Sequence, residues 1–182
     1  MASLSIITTV YKSERYVHEF YERSRKVLQR LGISQYEFIF VDDGSPDNSL
    51  DEALKLHDQD RRVSVIQLSR NFGHHKAIMT GLAHAAGDFV FLIDVDLEED
   101  PELLERMWAE TQKDKSIDVV YGVQETRKGK FFERWSGLLF YWAFNWLADG
   151  TKVEKNFCTI RLMKRNYEIG RASCRERVSS PV

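Results

Sequence analysis

Short apolar runs alternate with helical stripes along this chain, and that alternation restricts the fold more than any other feature. Leu4–Tyr11, Tyr36–Val41, Val63–Leu68, Asp88–Ile93 and Ile117–Tyr121 read as strands. Between the first two, Glu14–Leu31 carries Tyr16, Val17, Phe20, Tyr21, Val27, Leu28 and Leu31 close to helical spacing. Ser13 offers that helix an N-cap and Gly32 a stop. Ser49 followed by Glu52 fits a capping box opening a short helix to about His57. Lys76–Ala86 reads as a helix ending at Gly87, and Pro101 suits the first turn of a helix running to about Gln112. Strands that alternate with helices imply an α/β fold, a mostly parallel sheet with helices on both faces. Such sheets bind ligands beyond the carboxyl ends of their strands.

That rule gathers the polar residues worth attention. The first strand ends at Thr9-Val10-Tyr11, the second in Asp42-Asp43-Gly44-Ser45, the third in Ser69-Arg70-Asn71 and the fourth in Asp94-Val95-Asp96. Two carboxylates one residue apart at a strand end can share a divalent cation. Mg²⁺ and Mn²⁺ prefer carboxylate oxygens and complete their shells with water and substrate phosphates. A departing nucleoside diphosphate needs such a clamp. Asp42 and Asp43 repel each other unless something uses them, whereas Asp47, Asn48 and Ser49 fit ordinary turn and capping chemistry. Arg70 and Lys76 flank Asn71-Phe72-Gly73-His74-His75, where cations can hold a pyrophosphate and Gly73 lets the loop come close. Adjacent histidines such as His74 and His75 point apart on most backbones and make a poor metal pair. Asp100 and Glu102 read as favourable charge at a helix N-terminus, while Glu98 or Glu99 can face the site as a base for a hydroxyl acceptor.

A second unusual stretch is Phe131–Ala148, rich in aromatics and preceded by Arg127, Lys128 and Lys130. Its uncharged run is shorter than the roughly 20 residues a spanning helix needs. Tryptophan, tyrosine and a basic flank suit the headgroup region, so an in-plane helix at a membrane surface is expected, with a core helix as the alternative. The net charge of −2 gives no pull toward nucleic acid. Met1-Ala2-Ser3 leads into the first strand without a basic segment or cleavage site, so no signal peptide is expected. Two distant cysteines make no disulfide framework, and a reducing compartment is the default. No G-x-G-x-x-G follows the first strand, which argues against a dinucleotide-binding dehydrogenase.

Taken in order and spacing, these motifs resemble the family 2 glycosyltransferases of the GT-A fold, and among them the polyprenyl-phosphate and dolichyl-phosphate sugar transferases. The resemblance is carried by Thr9-Val10-Tyr11, Phe40–Ser45, Leu68–Gly73, Ile93–Leu97, Pro101-Glu102-Leu103 and Val119–Gly122. It implies a GT-A (Rossmann-like) sheet and an inverting, metal-dependent sugar transfer from a nucleotide diphosphate sugar to a polyprenyl phosphate. It places Thr9, Val10, Tyr11, Asp42, Asp43, Arg70 and Asp94 at the nucleotide sugar. Asp96, with Asp94, would ligate Mg²⁺ or Mn²⁺, and Arg127 and Lys128 would face the lipid phosphate. Asp94, Asp96 and Arg161 form the implied catalytic set. One departure matters: relatives often carry Asp-Phe-Arg where this chain has Thr159-Ile160-Arg161, and threonine cannot act as a carboxylate base. A lipid phosphate is already ionised and needs little base help, whereas a hydroxyl acceptor needs a base from elsewhere.

The resemblance further implies work at the cytoplasmic face of a membrane, with homo-oligomerisation left open. Residues 1–167 are expected to form the catalytic domain, the donor part about 1–122 and the acceptor and membrane-surface part about 123–167. Glu168–Val178 resembles a translated sequencing-adapter read-through, so 168–182 is expected to be a non-native tail on a C-terminally truncated protein. Many relatives carry transmembrane helices further on, and whether they follow in the intact gene is left open. Cys174 would then drop out and leave Cys158 as the native thiol. Two alternatives remain beside lipid-phosphate transfer: a transferase using a saccharide hydroxyl, and a membrane-associated nucleotide-sugar-binding fragment without turnover.

Overall fold

The structure is a computed structural model and describes residues 2–123 and 157–168. In chain order the elements are β1 (Leu4–Val10), α1 (Val17–Leu31), β2 (Tyr36–Asp42), α2 (Ser49–Gln59), β3 (Val63–Gln67) and α3 (His74–His84). Then come β4 (Phe89–Leu92), α4 (Leu103–Lys113), β5 (Val119–Val123), β6 (Phe157–Lys164) and the single turn α5 (Arg165–Glu168). Six strands form one sheet in the order β3-β2-β1-β4-β6-β5. β1 pairs parallel with β2 on one side and β4 on the other, and β2 pairs parallel with β3. β6 runs antiparallel between β4 and β5. The sheet is therefore mixed and mostly parallel, as the alternation predicts, with one reversed strand.

Period-two alternation sends the strand residues to opposite faces. Leu4, Ile6, Val10, Phe38, Phe40, Phe91 and Ile93 pack under α1, α2 and α4, joined by Ile160 and Leu162 of β6. Phe20 of α1 meets Phe40 edge-on at 6.0 Å, a favoured aromatic geometry. Ile7, Ile39, Val41, Val90 and Leu92 face the other way, with Ala77 and Ile78 of α3, Val119 and Met163. Fully burying each such side chain stabilises by about 1.5–3 kcal/mol. α3 approaches the sheet closely because Gly81 faces it: a Cβ there would lie 2.5 Å from Ile7 Cγ2 and 3.1 Å from Val41 Cγ2.

Several element boundaries differ from the sequence pattern, and each has a cause. α1 begins at Val17 rather than Glu14, because Ser13 holds a loop and does not cap: its hydroxyl bonds the Tyr11 carbonyl and its N–H donates to Ser49 Oγ. The capping box at Ser49 and Glu52 does not form, since Asn48 is the cap residue and Ser49 Oγ donates to Asp47 Oδ1. Gly32 does end α1, with a left-handed φ of 67° and its N–H on the Gln29 carbonyl. α3 starts at His74 and ends at His84, two residues earlier at each end than Lys76–Ala86. α4 starts at Leu103, after a turn at Pro101-Glu102, and β5 at Val119 rather than Ile117. β6 carries no strong apolar run and is not marked in the pattern at all. Asp100 and Glu102 both bond Arg23, at 2.6 Å for the Asp100 pair, so they tie α4 to α1 beyond any charge effect at the helix start.

Gln124–Asn156, with Arg127, Lys128 and the aromatic stretch Phe131–Ala148, and residues 169–182, with most of the proposed tail, lie outside the described residues. Among the described residues no helix is long and apolar enough to cross a membrane.

Two stability predictions follow from this packing. Gly81→Val forces a branched side chain against Ile7 and Val41, and overpacking of this kind costs about 1–3 kcal/mol, read as a lower urea midpoint with an unchanged slope. The second concerns Asp60, which receives the Arg62 guanidinium, the Arg62 N–H and the Tyr21 hydroxyl. The Arg62 hydrogen bonds lead in holding its carboxyl down to about 2. A depressed folded value contributes stability above the ordinary carboxylate range, and that contribution is lost as pH falls toward about 2. The stability difference between the wild type and Asp60→Asn should shrink as unfolding is measured from pH 5 down to 2.

Candidate functional site

Parallel pairing through β1 brings three strand ends to one edge. Val10 aligns with Asp42, and Ile7 with Leu92, so Thr9–Tyr11, Asp42–Ser45 and Asp94–Asp96 leave the sheet side by side. The connections tie together at once. Asp43 N–H donates to the Val10 carbonyl at 3.0 Å, and Ile93 N–H to the Ile7 carbonyl at 3.2 Å. Lys12 and Leu97, just past the ends of β1 and β4, have φ of 54° and 61°. Left-handed backbone is uncommon for side chains of this size and gathers at functional sites.

Asp42 and Asp43 are nearly closed off, at 1% and 3% exposed. Their proximity is stabilised by backbone donors. Asp42 accepts the Ser45 N–H at 3.2 and 3.3 Å. Asp43 accepts Phe72 N–H at 2.7 Å on one oxygen and Gly73 N–H at 2.9 Å on the other. Gly44, with φ of 68°, completes the junction, because a Cβ on it would lie 2.7 Å from backbone atoms of Arg70 and Asn71. The loop after β3 is thus seated on the loop after β2. Arg70 stays exposed, with its guanidinium 4.9 Å from the Phe72 ring centroid, and Lys76 Nζ lies 5.8 Å from the same ring.

Asp94 is the electrostatic centre of the edge. Its side chain is 24% exposed, and its Oδ1 is buried without a hydrogen-bond partner among the described residues. Burial pushes its carboxyl up; His74 and a hydrogen bond from the Thr159 hydroxyl oppose this, and the charges of Asp96 and Glu98 add to it. His74, the first residue of α3, places Nε2 3.6 Å from that Oδ1 and Nδ1 3.1 Å from Thr9 Oγ1. Asp96 accepts the Glu98 N–H at 3.0 Å.

Asp94 and Asp96 suit a hard divalent cation. Among the described residues no three His, Cys, Asp or Glu side chains form a cage. A cation held by one or two carboxylates takes its remaining oxygens from water and a diphosphate. The unpartnered Asp94 oxygen is the kind of group such an ion would satisfy.

On the α3 face, His74 and Thr159, both neighbours of Asp94, line a cleft of about 500 Å³. Ile78, Met79, Leu82, Leu92, Met163 and Tyr167 give it apolar walls; His74, His75, Thr159 and Arg161 supply its polar groups. Arg161 pairs with Leu92 across β4 and β6, is exposed, and has no ion-pair partner among the described residues. The structure thus brings Thr9, Val10, Tyr11, Asp42, Asp43, Arg70, Asp94, Asp96 and Arg161 to one region, while Arg127 and Lys128 lie outside the described residues. The sequence pattern missed His74 as a site residue, and missed that Thr159 bonds Asp94. The available signal was Gly73: its φ of 96° turns the chain so that the next residue starts a helix at the strand edge.

The glycosyl transferase family 2 model matches residues 5–170. The chain belongs to glycosyl transferase family 2. A relative from Mycobacterium tuberculosis (strain CDC 1551 / Oshkosh), whose name assigns it to the glycosyltransferases, is 51% identical over 164 residues, covering 90% of this chain and 47% of the relative. The undecaprenyl-phosphate 4-deoxy-4-formamido-L-arabinose transferase of Pseudomonas fluorescens (strain SBW25) is 35% identical, covering 96% of this chain and 50% of its own length. The chain spans about half the length of these curated relatives. Among solved structures, glucosyl-3-phosphoglycerate synthase from Mycobacterium tuberculosis, in complex with Mn²⁺, UDP-glucose and phosphoglyceric acid, superposes with a TM-score of 0.66. At 18% identity over 91% of this chain and 57% of that one, the likeness shows a shared GT-A fold.

The seating of one loop on the other gives a prediction. Asp43→Ala removes both acceptors of the Phe72 and Gly73 N–H groups, and leaving such donors unsatisfied costs about 1–3 kcal/mol. Hydrogen exchange at those two amides should accelerate while the amides of β1 keep their protection.

Proposed function

We propose that this chain carries the donor site of a transferase that moves a sugar from a nucleotide diphosphate sugar to a polyprenyl phosphate at the cytoplasmic face of a membrane. The observation that carries the reading is the Asp94 Oδ1 that has no hydrogen-bond partner among the described residues, set beside Asp96 and near a cleft that joins Arg161, without an ion-pair partner among the described residues, to apolar walls. An anionic head on a long hydrocarbon chain matches that combination of groups. The name of the Pseudomonas fluorescens relative, an undecaprenyl-phosphate transferase, supports the same acceptor class.

In this reading Arg70 faces the donor diphosphate, Thr9, Val10 and Tyr11 border the nucleoside, and Asp42 and Asp43 shape its wall. Asp94 and Asp96 would hold Mg²⁺ or Mn²⁺, which would supply neutralisation of the charge on the leaving diphosphate. Arg161 holds the acceptor phosphate in line. A phosphate oxygen attacks the anomeric carbon from the face opposite the diphosphate. The new C–O bond forms as the bond to the diphosphate breaks, and its electron pair leaves with the diphosphate, inverting the centre. The acceptor enters ionised, so no proton has to be removed, which suits a site where Thr159 stands in place of a carboxylate base. Arg127 and Lys128 add cations on the acceptor side in the same reading.

Calorimetric titration with UDP, GDP, CDP and dTDP, each with and without Mn²⁺, tests the donor site. One nucleotide should bind in a metal-dependent manner, and Asp96→Ala should weaken it at least tenfold, since even outer-shell partners of a metal are worth about 10–100-fold. Transfer of the matching labelled sugar to undecaprenyl phosphate, with none to a saccharide, is expected of the full-length protein. Use of the saccharide alone would favour the hydroxyl-acceptor reading. Binding without any transfer would favour a binding role.

A further inference from the structure

His74 sits between two ends of the sheet edge and touches both. Its Nδ1 is 3.1 Å from Thr9 Oγ1 beyond the centre of β1, and its Nε2 is 3.6 Å from Asp94 Oδ1 beyond β4. Asp94 Oδ1 is buried and otherwise unpartnered among the described residues. Thr159 approaches this carboxylate from β6, and the charges of Asp96 and Glu98 lie near it. The backbone fixes the imidazole from below: Gly73 at φ 96° makes the turn, Asp43 holds the Gly73 N–H, and the Gly73 carbonyl accepts Lys76 N–H to start α3.

The ring nitrogens are not equivalent in this setting. A neutral imidazole has one N–H and one lone pair, and the bond made by one nitrogen decides the other. If Nδ1 carried the proton, the Nε2 lone pair would face a buried carboxylate oxygen, and two acceptors would oppose each other. If Thr9 donates its hydroxyl proton to Nδ1, the proton sits on Nε2 and points at Asp94. The second arrangement satisfies all three groups. At 3.6 Å the Nε2–Oδ1 contact is longer than a direct hydrogen bond, and a sub-ångström movement of either group closes it.

We propose that His74 is the positioning residue of the donor site: Thr9 holds its imidazole in the Nε2–H form, and that N–H orients the Asp94 carboxylate. Asp94 as a donor-site ligand rests on the function proposed above; the Thr9–His74–Asp94 relay does not. The role lies in the placement of the carboxylate and involves no proton transfer to the substrate. It parallels the way ligating carboxylates are held by hydrogen bonds from behind.

The test has two arms on the full chain. In the first, long-range ¹H–¹⁵N spectra of histidine-labelled protein are recorded at roughly pH 8, where an ordinary imidazole is neutral. The His74 Nε2 should carry the proton, and Asp94→Ala and Thr9→Val should each move its ¹⁵N resonance. A proton on Nδ1, or an Nε2 resonance that Asp94→Ala leaves in place, overturns the proposal whatever the chain binds. In the second, Mn²⁺-dependent binding of the four nucleoside diphosphates is compared across variants. His74→Ala should weaken binding about 10-fold or more. His74→Gln, whose amide N–H reaches the Nε2 position, should recover most of it, whereas His74→Asn should not. The losses from His74→Ala and Asp94→Asn should be less than additive. Equal binding by wild type and His74→Ala, or full additivity, overturns the proposal and leaves the donor site standing. Failure of the wild type to bind any nucleotide overturns the donor reading, and the spectra still decide the relay.

Discussion

Everything at the site depends on β1 being hydrogen-bonded in parallel on both sides. Its seven residues are buried except Thr9, which is partly open, so the strand cannot slip without moving apolar side chains to the wrong face. Parallel neighbours start and stop in the same sense, and so the ends of β2 and β4 must emerge beside the end of β1. The acids of this chain come together because their strands do, and only secondarily through contacts of their own. The three helices on one face and α3 on the other supply the burial that keeps this arrangement rigid.

Rigidity at the edge comes from polar groups that the mechanism does not consume. Asp43 is a structural acceptor for the loop that presents Arg70, and Asp42 an acceptor for its own turn. Two adjacent buried carboxylates are stable here because each faces N–H dipoles. Asp94 is the exception, and the contrast is informative. Its neighbours leave one oxygen without a bond, and such a buried oxygen is costly unless something arrives to use it. The left-handed Lys12 and Leu97 fit the same pattern of local cost borne by a well-packed surround.

The sequence made five of the six strands legible, since each is an uninterrupted apolar run closed by polar residues. β6 escaped because its inward residues, Ile160 and Leu162, are separated by Thr159, Arg161 and Met163, which look toward the cleft. Helix starts were misread where a capping type had another task, as Ser13 and Ser49 show: the Ser13 N–H donates to Ser49 Oγ and ties the loop after β1 to the start of α2. Site residues were legible as acids at strand ends. Their partners were not, because Asp43 bonds backbone N–H groups, which any residue provides. His74 looked unpromising as one of two adjacent histidines. The turn at Gly73 aims it at the strand edge, and a turn that specific is a property of the folded chain. The membrane-surface stretch and the basic pair before it fall beyond the described residues.

The reversed strand has a consequence for how the protein comes into being. Among the described residues β5 pairs only with β6, and β6 is made after residues 124–156 have been synthesised. Until then β4 has an open side and β5 has no place in the sheet, even though β1 through β4 can already be assembled. An unpaired edge is a template for foreign strands, and domains that form from the N-terminus pass through such partly built states. Thr159 and Arg161 arrive with the strand that closes that edge. The nascent chain therefore gains the far wall of its site in the same late event that covers the open side of β4.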